Sequence, residues 1–139
     1  MTAEIIYEGQ LRTRATHLQS GNTLITDAPT DNHGRGEAFS PTDMVAAALG
    51  ACMMTIMGIV ADRHGINLVG TLVRVKKIMQ ANPRKIAAIE VYFSMPAQIS
   101  DPKDRQLLEN AARTCPVALS LHSDIRQDVV FDYTAHPLS

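Results

Sequence analysis

With 139 residues, 13 basic against 14 acidic side chains and a net charge of −1, the chain is sized for one domain that buries roughly two-thirds of its unfolded surface without disulfide staples. No basic run interrupts that balance, which removes the electrostatic footprint of nucleic-acid binding. Three Tyr, three Phe and no Trp leave a 45% apolar sequence short of aromatics, so its core is built from Ala, Val, Ile, Leu and Met, an adaptable packing set.

The chain opens Met1-Thr2-Ala3-Glu4-Ile5-Ile6, with neither a basic leader nor an apolar signal core, and the expectation is a cytoplasmic protein. Residues 4–7 and 11–18 read as the arms of a hairpin about Glu8-Gly9-Gln10, and residues 23–26 as a third strand after the Ser20-Gly21-Asn22 turn. The strand period places Arg12, Arg14 and Thr16 on one face, so two guanidinium groups point the same way. Residues 27–39 then form a loop by composition, of a length often functional inside a compact domain. Gly34-Arg35-Gly36 within it is no phosphate loop, because the next helix starts several residues later with Ser-Pro rather than a glycine turn.

Ser40 is the predicted cap of a helix with Pro41 at its first position and Asp43 completing an approximate capping box; Gly65 supplies a left-handed stop after His64. Residues 44–61 carry no charge and reach the lower length limit for a membrane span. They are rich in Ala and Gly and bounded by Asp43 and Asp62-Arg63, so the reading is an interior helix with no membrane partner. A helix apolar all round must be covered on every side. One small sheet covers one side, which leaves the rest to other helices or to a second subunit.

Two strands follow, residues 68–80 and 84–95, joined at Ala81-Asn82-Pro83 as a hairpin. Alternation assigns Val69, Thr71, Val73 and Val75 to the buried face of one, and Ala87, Ile89, Val91 and Phe93 to that of the other. Ser100-Asp101-Pro102 opens a second helix, amphipathic through Leu107, Leu108, Ala111 and Ala112 and ending near Arg113. A short helix starting at Thr114-Cys115-Pro116 carries Val117, Ala118, Leu119 and Leu121, and residues 128–133 form a last strand.

Two cysteines in unlike settings carry the chemistry. If folding joins their sulfurs, the chain has the parts of a dithiol redox catalyst; if not, each is an inert thiol of a reducing compartment. A free thiol of pKa near 8.5 is only about 3% ionised at neutral pH, and lowering it by roughly three units makes it almost wholly thiolate. Cys115 has a local acidifying group in the free N–H groups of its helix start. Cys52 is mid-helix, where desolvation acts the other way, and needs a cation from elsewhere, for which Arg12 or Arg14 are the candidates. The five histidines, His17, His33, His64, His122 and His136, form no pair at metal-ligand spacing. His122, beyond Cys115 at the end of the short helix, reads as a general base, or as a residue that caps that helix end or faces solvent.

The run Phe39-Ser40-Pro41-Thr42-Asp43-Met44-Val45-Ala46-Ala47-Ala48-Leu49-Gly50-Ala51-Cys52, with Thr114-Cys115-Pro116-Val117 and the strand-rich N-terminal third, resembles the OsmC/Ohr family of osmotically inducible protein C and organic hydroperoxide resistance proteins, in its OsmC-like branch. The resemblance covers essentially the whole chain. It implies an α/β (α+β) fold of one OsmC-like domain over residues 1–139, with antiparallel sheets packed around two long helices in an intertwined homodimer and active sites at the subunit interface. It also implies a cofactor-free thiol peroxidase that reduces organic hydroperoxides to alcohols. In that scheme Cys52 is the peroxidatic thiolate, Cys115 resolves it as a Cys52–Cys115 disulfide, Arg12 or Arg14 activates Cys52, and an external dithiol re-reduces the bridge.

The local reading favours Cys115 as the more acidic thiol and the resemblance favours Cys52. Hydroperoxide-resistance members carry a glutamate directly after the proline of the helix-start motif, paired with the arginine; here Thr42 stands there, and Asp43 or Glu37 are the substitutes offered. The competing readings are a non-catalytic dimer of the same fold that binds a small apolar or thiol-reactive ligand, and a purely structural stress-induced dimer.

Overall fold

A short turn after Gly9 joins the first two strands in the computed structural model, which describes residues 1–134. His136 lies outside them. The chain divides into two compact units, Met1–Val45 and Ala46–Ser139.

The first unit is an antiparallel meander of β1 (Ala3–Gly9), β2 (Arg12–His17) and β3 (Thr23–Asp27), in that order. Gly9, Gln10 and Leu11 all take positive φ, so the reversal lies one residue later than expected and β2 starts at Arg12. Pairing of Arg12 with Asp27 and of Thr16 with Thr23 sets the β2–β3 register. Ile5, Ile6 and Tyr7 are all more than 60% exposed, so both faces of β1 present apolar side chains. From residue 28 the chain loops through a single 3-10 turn (Thr30–Asn32) to the start of α1 (Pro41–Arg63). Ser40 caps that helix reciprocally: its Oγ accepts from the Asp43 N–H at 3.0 Å, and the Asp43 carboxylate accepts from the Ser40 N–H at 3.0 Å.

In the second unit α1 buries one stripe, Ala46, Leu49, Gly50, Met53, Met57 and Ala61, at helical spacing. Ala48, Ala51, Thr55 and Ile59 on the opposite side are exposed, so one flank of this apolar helix is left bare by its own chain. The helix is long and apolar enough to cross a membrane by length and composition alone. It ends where the Ile66 N–H reaches back to the Ala61 carbonyl around Gly65 at φ 66°.

Antiparallel pairing joins β4 (Leu72–Gln80) to β5 (Lys85–Ser94), and β6 (Arg126–Asp132) then adds to β5 in parallel. The resulting sheet, ordered β4-β5-β6, is mixed, whereas the meander of the first unit is wholly antiparallel. A parallel neighbour needs a crossover, here supplied by α2 (Pro102–Arg113) and α3 (Pro116–Ser120). Asp101 caps α2 by accepting from the Lys103 N–H, and Leu108 and Ala112 form its buried face. The rings of Phe93 and Phe131, register partners on β5 and β6, stack at 5.0 Å.

Two expected core positions are corrected. Val69 is 86% exposed, because Gly70 at φ 92° turns the chain and β4 starts only at Leu72. Ala87 is half-buried while Ile86 and Ala88 are buried. Opposite it the register jumps, Ile78 facing Ala88 and Met79 facing Ile86, so Ala87 is the extra residue of a bulge and the alternation changes phase there.

Candidate active site

The fold joins the two cysteines. Cys52 lies half-buried on α1, beside Met53 of its buried stripe, and Cys115 lies fully buried at the junction of α2 and α3. Pro116 at the first position of α3 forces a break after Thr114, and Cys115 takes an extended conformation as the helix cap, its Sγ accepting from the Ala118 N–H at 3.4 Å. The Cys115 side chain lies close enough to that of Cys52 for the two to influence each other's charge, and both are free thiols.

The expected acidity of Cys115 is overturned. Burial pushes its thiol up; the Ala118 N–H pulls the other way, the neighbouring Cys52 sulfur adds to the rise, and the Val117 N–H opposes it. A five-residue helix offers little dipole against complete desolvation. Cys115 thus holds its proton more tightly than an exposed thiol does.

A second constellation lies wholly within the first unit. Arg12 donates from Nε to Asp27 Oδ1 at 2.7 Å and from Nη2 to Asp27 Oδ2 at 2.8 Å, a two-pronged ion pair, and from Nη2 again to Glu37 Oε2 at 3.1 Å. The hydrogen bond to Asp27 holds the Arg12 guanidinium protonated far above its ordinary range. Arg12 in turn holds the Asp27 carboxyl below the usual carboxylate range against the effect of desolvation, with the Glu37 N–H and the charge of Arg35 assisting. Asp27 is 1% exposed and Glu37 65%, so the clamp has one buried and one solvated jaw.

The remaining candidates separate cleanly. The Arg14 guanidinium donates from Nε to Glu8 Oε2 at 3.0 Å and is half exposed. Asp43 closes the capping box of α1 and Thr42 shares a hydroxyl contact with Ser40 at 3.2 Å, while Arg12 bonds Asp27 and Glu37. His122 Nδ1 accepts from the Asp124 N–H at 3.0 Å in the turn after α3, and its ring faces solvent. Asp27 was missed by motif reading, which placed it in the loop. The signal was available in the register: strands ending at His17 and resuming at Thr23 pair Arg12 with Asp27.

The model of the OsmC-like protein family matches residues 34–129, which include both cysteines. The chain belongs to this family. A protein from Psychrobacter arcticus 273-4, described as an osmotic stress induced and detoxification response protein, is 47% identical over 94% of this chain and 95% of its own, with a TM-score of 0.90. The organic hydroperoxide resistance protein OsmC of Legionella pneumophila is 17% identical over 95% of this chain and 97% of its own, with a TM-score of 0.75. That of Elizabethkingia anophelis is 16% identical over 95% and 96%, with a TM-score of 0.73. At such identities the last two share the fold of this OsmC-like chain. No curated protein matches the sequence. OsmC-like family membership is consistent with a redox or peroxidase role.

Proposed function

We propose that the chain is a cytosolic, homodimeric and cofactor-free thiol peroxidase that reduces organic hydroperoxides to alcohols in oxidative-stress defence. The observation that carries this reading is the proximity of the two thiols, close enough for Cys52 to help hold the Cys115 proton in place. The Cys52 thiolate attacks the distal oxygen of the hydroperoxide. An S–O bond forms, the O–O bond breaks, and the alkoxide leaves as the alcohol after taking a proton. The Cys115 sulfur then attacks the sulfenic sulfur of Cys52, forming the disulfide and releasing water. An external dithiol, itself oxidised, returns both thiols.

The environment of Cys115 suits the resolving role. Negative charge on Cys52 is one of the causes that keep the Cys115 proton in place. A sulfenic acid is neutral, so oxidation of Cys52 removes that cause; burial still holds the proton, opposed by the Ala118 and Val117 N–H groups that stabilise the attacking thiolate. For Cys52 itself we assign the activating cation to Arg12, whose fixed, multiply bonded guanidinium supports the role better than the singly bonded Arg14. The bare apolar flank of α1 and the exposed apolar faces of β1 support a homodimer.

Stopped-flow consumption of an alkyl hydroperoxide by the wild type and by Cys52→Ser tests the proposal. Loss of at least about a hundredfold in rate is expected for removal of the nucleophile. Equal consumption by the two proteins would end the peroxidase reading and favour the ligand-binding dimer.

A further inference from the structure

We infer that Asp27 is the positioning residue for Arg12 in the hydroperoxide reaction, an inference that rests on the thiol peroxidase reading. A guanidinium has five N–H donors. Asp27 takes the Nε proton and one Nη2 proton, and Glu37 takes the other Nη2 contact. Asp27 occupies the lateral Nε/Nη2 edge and Glu37 contacts the Nη2 end, which fixes the plane of the group and leaves Nη1 as the nitrogen that neither carboxylate engages.

Of the two carboxylates, Asp27 sets this orientation. Its backbone is Arg12's register partner across β2 and β3, and the Thr13 and Thr26 hydroxyls bond to each other one step along the same pair. It is buried, whereas Glu37 stands in solvent, and a buried two-pronged pair is far less screened than an exposed contact. Glu37 also depends on Asp27, because its own N–H donates to Asp27 Oδ2 at 3.2 Å. Between them the loop is closed by the Gly36 N–H on the Ala28 carbonyl. Gly34 packs so tightly there that a Cβ would lie 1.6 Å from the Ala28 oxygen. One carboxylate thus holds the arginine and the loop that brings the second carboxylate to it.

The test is a double-mutant cycle with two readouts: steady-state reduction of cumene hydroperoxide, and alkylation of Cys52 by iodoacetamide in a Cys115→Ser background. Asp27→Asn keeps the shape and loses the charge; it is expected to lower kcat/KM about tenfold or more, with the loss in kcat, and to slow alkylation in parallel. If Asp27 acts through Arg12, the Arg12→Gln/Asp27→Asn protein is no slower than Arg12→Gln alone, to within about twofold. Activity of Asp27→Asn within about twofold of wild type, or losses that multiply in the double variant, overturns the inference. Failure of the wild type to consume hydroperoxide overturns the peroxidase reading instead, and the alkylation cycle then judges Asp27 by itself. Should Asp27→Asn not fold by circular dichroism, Arg12→Lys takes its place, keeping the charge without the two-pronged hold. It is expected to lose about tenfold in both readouts, and wild-type behaviour there counts against the inference.

Discussion

Cys115 shows how a residue's chemistry is set by what surrounds it rather than by its position in a motif. Its place at a helix start argued for an acidic thiol; complete burial won. The outcome is a difference in reactivity between the two sulfurs. Brief treatment of the native reduced protein with iodoacetamide is expected to label half-buried Cys52 well before Cys115, by mass spectrometry of the digested chain. Preferential labelling of Cys115 would reverse the assignment of attacking and resolving thiols. The Asp27 carboxyl gives a second prediction at this scale. Its folded pKa is depressed by Arg12, so the stability it contributes is fully present above the unfolded value near 3.9 and is lost as pH falls through the lower, folded one. Melting temperature is expected to drop more steeply between about pH 5 and pH 2 for wild type than for Asp27→Asn, and parallel curves would refute this. The two cysteines and both arginines were legible in the sequence because each sits in a recognisable local pattern. Asp27 was not, since nothing within a few residues of it signals its partner, fifteen positions away.

At the level of elements, the close approach of α1 to β4 depends on Gly50. A Cβ at that position would lie 2.8 Å from Val75 Cγ1 and 3.6 Å from both methyl groups of Val73. Valine has no flexible end to move aside. Gly→Ala in a helix ordinarily gains up to about 1 kcal/mol, but overpacking a core typically costs about 1–3 kcal/mol, and here the second is expected to prevail. Gly50→Ala should lose about 1–2 kcal/mol in urea unfolding, and Val75→Ala in the same chain should recover part of it. A gain in stability would show that β4 yields at no cost. Capping chemistry made α1 and α2 readable to within a residue: Ser40 with Asp43, Asp101 with Pro102, and Gly65 as a stop are all local signals. The phase of β5 was harder to read. A bulge is defined by the partner strand, and Ala87 looks like any other member of an alternating run until Ile78 and Met79 are laid against it.

For the whole molecule, the apolar flank of α1 and the three exposed large side chains in a row on β1 are an aggregation liability unless a second copy covers them. Sedimentation equilibrium is expected to give twice the 15.1 kDa chain mass, and a Tyr7→Lys variant to shift the population toward monomer; a monomeric wild type would contradict the proposed homodimer. The antiparallel hairpins follow from neighbouring segments and were legible, while the parallel placement of β6 beside β5 depends on a crossover whose direction no local pattern records. That crossover has an implication for maturation. Cys115 rides on it, so its sulfur becomes sealed only when the chain's most distant strand pairing locks in. Pulse labelling during refolding should therefore find this thiol reactive until late, which makes its disappearance from the labelled pool a clock for completed topology and marks the unfinished chain as open to bridges with other molecules before then.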